Sequence, residues 1–153
     1  MKYLVVTAAL VVLSSFGGKA QAETVRAGGI TVEKAWSRAT PPGARAAAIY
    51  MLLTNRGTEA VSVVSLSTDV ASMTEAHQTI NEDGMMRMRP AENLLIAVGD
   101  SLVFEPGGLH VMLMGLQRQL SAGDTFTLQI TLSDGQQLET EVLVGNPGQM
   151  TMP

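Results

Sequence analysis

The chain has 153 residues, a formal net charge of −4, ten methionines, two histidines and no cysteine. The missing cysteine excludes disulfides, thiolate metal sites and cysteine nucleophiles together. An acidic balance without any basic stripe excludes a nucleic-acid partner.

In chain order, residues 1–22 (MKYLVVTAALVVLSSFGGKAQA) carry a Lys near the start, an apolar run from Tyr3 to Leu13 and the ending Ala20-Gln21-Ala22. This is the pattern of a secretory signal peptide cleaved before Glu23. The apolar run falls short of the ~20 residues a membrane span needs. The mature chain, 23–153, has the size of one domain with one core. Without Lys2 and Lys19 it holds eight Lys/Arg against fourteen Asp/Glu, a net charge of −6.

Gly and Pro punctuate the mature chain at short intervals, and the segments between are rich in Val, Leu, Ile and Thr. Strands are predicted near 30–36, 46–54, 60–67, 73–80, 85–89, 101–104, 109–114, 124–132 and 136–144. TFTLQITL (125–132) and QLETEVLV (137–144) alternate cleanly, and Ser133-Asp134-Gly135 joins them as a hairpin. No segment sustains a 3.6-residue period. The expected fold is therefore all-β, an antiparallel sandwich or barrel with Greek-key connections. The domain is expected over 23–145, followed by a mobile Gly/Pro-punctuated tail, 146–153.

His77 and His110 each stand near methionines. The turn signal Asn81-Glu82-Asp83-Gly84 predicts a hairpin of 74–80 with 85–89. A four-residue loop sets His77 opposite Met88; a two-residue loop at Asp83-Gly84 sets Met88 opposite Thr79, with His77 diagonal to it on the same face. In GGLHVMLMGL (107–116), Leu109, Val111 and Leu113 form an apolar face, and His110, Met112 and Met114 share the other. Any one methionine is ordinarily core filler. The pairs are different, because two imidazoles and two thioethers make a neutral donor set. Thioether sulfur suits Cu(I), whereas zinc favours Cys, His and carboxylates, and hard cations favour oxygen. Glu75 shares a face with His77 and would offset the ion's charge. Met114 is the nearest competitor to Met112 as a ligand, and Met85 and Met86 are further alternatives.

The spacing His77-(ten residues)-Met88-(twenty-one residues)-His110-x-Met112, with MTEAH, GMMRMRP and FEPGGLHVMLMGL around it, resembles the signature of the periplasmic copper chaperones called PCuAC. The resemblance spans essentially the whole mature chain. It implies a cupredoxin-like β-domain in the periplasm that binds Cu(I) through His77, Met88, His110 and Met112. The implied recipient is the copper centre of a respiratory cytochrome oxidase, often together with Sco-type proteins. A monomeric carrier, not an enzyme, is expected. Some members carry a long Met- and His-rich extension for further copper; this tail offers only Met150 and Met152.

Three rival readings differ from this one at particular residues. Gly99-Asp100-Ser101-Leu102 spells a hydrolase motif but reads as a turn before a strand. A blue-copper carrier needs a cysteine that is absent. A non-enzymatic β-sandwich module would use the His/Met face as a partner surface, joined by Trp36, Tyr50 and Met51. Ligating histidines must be neutral, and free histidine titrates near 6.5, so copper affinity is expected to fall in acid. Substituting His110 or Met112 should weaken copper far more than substituting Met114 or Met51.

Overall fold

Alternation near the C-terminus sets the pattern of the whole fold. Phe126, Leu128, Ile130 and Leu132 are buried while their neighbours stay at the surface, and Leu138, Thr140, Val142 and Val144 repeat the pattern on the next strand. The computed structural model describes residues 25–153, so the expected signal peptide lies outside the described residues. The strands are β1 (Val25–Ala27), β2 (Ile30–Arg38), β3 (Ala46–Asn55), β4 (Val61–Ser67), β5 (Ala71–Glu82) and β6 (Met85–Pro90). They continue with β7 (Leu95–Ile96), β8 (Ser101–Phe104), β9 (Leu109–Leu116), β10 (Thr125–Leu132) and β11 (Gln137–Gly145). Among the described residues there is no helix. The short β1 and β7 were not among the expected strands.

The strands follow the order β6-β5-β9-β3-β2-β11-β10-β4-β7, with β1 on β2 and β8 on β3. Every pairing is antiparallel except β2 with β11, which is parallel. Ile30, Val32, Ile49, Leu53, Val111, Leu113, Leu128 and Ile130 are almost wholly buried in one cluster, around which the sheet curls. The architecture is all-β and cupredoxin-like, as expected.

Three local features position the site. First, β2 carries a bulge. Glu33 pairs with Leu52 and Trp36 with Tyr50, so Lys34 and Ala35 together face the single Met51, and Lys34 takes φ 58°. Beyond it Ala35 joins the core, while Trp36 packs on Tyr50 with ring centroids 4.8 Å apart. Trp36, Tyr50 and Met51 are all buried, so they give little open area to the patch the partner-surface reading asked of them.

Second, the β5–β6 hairpin uses the tighter of the two loops considered. Glu82 pairs with Met85 across Asp83 (φ 53°) and Gly84 (φ 81°), the paired positive φ values of a type I′ turn. His77 therefore faces Pro90, and Met88 faces Thr79. The four-residue loop that would have put His77 opposite Met88 is not formed, because Asp-Gly accepts two left-handed residues and closes the turn sooner.

Third, the end of the tail, Met150–Pro153, lies beside Trp36, Met51 and Phe104. Arg38 donates to the Gln149 carbonyl and to Met150 Sδ, and its guanidinium carbon sits 5.6 Å from the centre of the Tyr50 ring. Gly99 (φ 82°) turns the chain into β8, where the Ser101 hydroxyl pairs with Thr54 Oγ1 at 2.9 Å; this is the turn-and-strand role expected of Gly99–Leu102.

Candidate metal centre

Antiparallel pairing of β5 with β9 sets His77 directly opposite His110, Glu75 opposite Met112 and Met73 opposite Met114. All six point away from the core, because Val111 and Leu113, on the other side of β9, are fully buried in it. The two imidazoles are nonetheless 8% and 4% exposed, deeper than a partly exposed face suggests. Their centroids are 6.3 Å apart and their planes inclined by 37°. Two imidazoles ~2 Å from one ion have centroids ~5 Å apart in tetrahedral and ~6 Å apart in near-linear coordination, so the pair stands at the near-linear end and closes by ~1 Å for a four-donor set.

The nitrogens are available. His110 Nδ1 lies 3.0 Å from the Gly108 carbonyl, which can only accept, so Nδ1 carries the proton and Nε2 keeps its lone pair. His77 Nε2 faces Glu75 Oε2 at 3.8 Å, beyond hydrogen-bonding distance, and its buried Nδ1 has no partner. An unsatisfied buried nitrogen costs about 1–3 kcal/mol, which ligation would recover.

Met112 is half-buried, two residues along β9 from His110, with Ala48 of β3 on its other side. Met88 is 61% exposed at the solvent side. Met88, His110 and Met112 line one groove together with Tyr50 and Arg38. Of the four expected residues, the structure thus brings three into one groove and sets the fourth, His77, beside His110. Among the described residues no three His, Cys, Asp or Glu side chains cluster as a metal site. Only when thioethers are counted do three candidate donors, His110, Met112 and Met88, line one groove, and thioethers suit a soft ion.

Sequence reasoning missed Arg38, whose place in the groove follows from the β2 bulge, and considered Tyr50 only for a partner surface. It also missed the clamp on the hairpin that carries Met88. On the opposite face, Arg89 Nε and Nη2 donate to the two Glu82 oxygens at 2.9 Å each, and Arg87 Nε approaches Glu82 at 3.3 Å. Hydrogen bonding from Arg89 holds the Glu82 carboxyl below its ordinary value, against a smaller opposing effect of desolvation. A depressed carboxyl pKa stabilises above the unfolded value and loses that contribution as pH falls through the folded one. The clamp is therefore intact at neutral pH and lost only below the ordinary carboxylate range. Glu82→Gln is expected to speed amide exchange along Met85–Pro90 at pH 7 and to lower Cu(I) affinity a few-fold. Unchanged exchange would show that the turn alone fixes the hairpin.

The fold defines a cupredoxin-like domain with an outward His/Met face. The chain belongs to the family described as "Putative lipoprotein LpqE-like", whose model matches residues 30–144. It is 35% identical over 117 residues to "Putative lipoprotein Lxx21020" of Leifsonia xyli subsp. xyli, covering 76% of this chain and 69% of that protein. The solution structure of CuI-DR1885 from Deinococcus radiodurans matches at 34% identity with a TM-score of 0.59, over 82% of this chain and 81% of that one. The apo PCuAC domain from PmoF1 matches at 18% identity with a TM-score of 0.69, over 82% and 100%, a likeness of fold.

Proposed function

We propose that the protein is an exported Cu(I) carrier that holds one ion between His77, His110, Met112 and Met88 and passes it to an acceptor protein. The observation that carries this reading is the in-register pair of buried imidazoles with thioethers beside it in one groove. The 34% identity to DR1885, solved as a Cu(I) form, supports it. Four neutral donors leave the ion its single positive charge, which the Glu75 carboxylate offsets.

The arrangement suits transfer. His77 and His110 anchor the ion from below, and the exposed Met88 is the ligand an incoming donor displaces first. The groove, about 330 Å³, is far larger than the ~30 Å³ share of one water and admits an acceptor's side chain. No nucleophile or general base is needed, so the protein works as a carrier and not as a catalyst. The signal-peptide pattern of residues 1–22 and the lipoprotein name of the Leifsonia relative support export, here to the periplasm. The acceptor we assign, from the family resemblance, is the copper centre of a respiratory oxidase, reached directly or with a Sco-type protein, by the monomer.

The test is an anaerobic Cu(I) titration against a coloured Cu(I) chelator. One tight equivalent is expected, weakened in each of His77→Ala, Met88→Ala, His110→Ala and Met112→Ala. Binding indifferent to all four changes would overturn the site and favour a partner surface instead.

A further inference from the structure

The thioethers do not stop at the groove. Met73 and Met114 face each other across β5 and β9, which puts their Cβ atoms about 5 Å apart. Met112 precedes Met114 by two residues on the same face, about 7 Å along the strand. Met73 is 52% exposed although it points away from the core, and Met114 is half-buried. The residue opposite Met114 on β3 is Ala46, too small to cover it. Glu75 lies between the Met73–Met114 pair and His77 on β5, with no hydrogen-bond partner closer than the 3.8 Å approach to His77.

We infer that Met73 and Met114, with Met112 as a shared ligand, form a second site for a soft monovalent cation, Cu(I) or Ag(I), next to the His77/His110 site. The inference rests on the copper reading of that first site. Three neutral sulfurs match a soft ion and offer nothing to zinc or to hard cations, and the neighbouring carboxylate supplies the countercharge. Two thioethers on flexible three-bond stems hold an ion less firmly than a set containing two buried imidazoles, so this site fills second. Met112 reaches towards both, so an ion can pass between the sites by exchanging the remaining ligands around it. The face is then a short path along β9, with the tight site at one end and an open foothold at the other.

The experiment follows the methionine methyl NMR signals while the protein is titrated anaerobically with Cu(I), and separately with Ag(I), to two equivalents. The first equivalent is expected to move the Met88 and Met112 methyls, and the second those of Met73 and Met114. Met73→Leu/Met114→Leu, which keeps apolar bulk on the strands, should abolish the second step and leave the first intact. If the second equivalent moves the tail methionines Met150 and Met152, or moves nothing, the second site is wrong while the first stands. If the first equivalent leaves Met88 and Met112 unmoved, the failure belongs to the carrier reading itself.

Discussion

His110→Ala is expected to weaken Cu(I) binding by about 100-fold or more, and Met88→Ala by about 10-fold; even partners one shell out from a metal typically cost 10–100-fold. The ranking follows from depth and preparation. His110 is 4% exposed, its Nδ1 is fixed by the Gly108 carbonyl, and its Nε2 stands ready without rearrangement. Removing it leaves the buried His77 Nδ1 without a partner and His77 as the sole imidazole of the set. Met88 is 61% exposed on a hairpin and loses side-chain entropy when it closes on the ion, so its net contribution is smaller. Competition with a Cu(I) chelator, run on folded variants checked by circular dichroism, measures both. Equal losses for the two would contradict the anchored-and-displaced order of ligands.

Leu113→Ala is expected to cost about 2–5 kcal/mol of stability, the range for truncating a fully buried leucine. Its neighbour Met112→Ala should cost about 1 kcal/mol or less. The two residues are adjacent in sequence and opposite in sense. Leu113 is fully buried in the core cluster, whereas Met112 lies on the groove. Urea denaturation of the copper-free protein reads the difference. The binding data should invert it, because the folded fraction of Leu113→Ala keeps all four ligands while Met112→Ala loses one. A large stability loss in Met112→Ala would mean that the outward face carries packing energy the structure does not give it.

Much of this was legible because a strand reports its sidedness locally. The alternation in 125–132 and 137–144, the Asp-Gly turns and the contrast between Leu109-Val111-Leu113 and His110-Met112-Met114 each depend on a few consecutive residues. They placed most strands, and the outward side of β9, where the structure has them. What escaped was decided by contacts far apart in the chain. Nothing local to Met85–Pro90 says that Met88 reaches the same groove as Met112. The Glu82–Arg89 clamp requires the register first, and the register depended on choosing between two loops that both contain Asp83-Gly84. The depth of His77 and His110 depends on how neighbouring strands wrap, which no period reveals. The bulge at Lys34 has neither Gly nor Pro to announce it; VEKAW reads as ordinary strand.

That bulge bears on which changes in length β2 can absorb. A regular ladder through the same residues would aim Lys34 and Trp36 inward and turn Ala35 outward, burying a charge and emptying the flank of the groove. Accommodating one extra residue at Lys34 cancels the inversion, so the two halves of the strand remain in step with their neighbours on either side of it. Deleting Lys34 would leave the same side chains facing the same way on a straighter strand. An added residue just after Trp36 would reverse Ser37 and Arg38 while leaving Trp36 in place. Loss of one residue at this point therefore keeps the inside and outside of β2 in place, whereas loss elsewhere along the strand exchanges them.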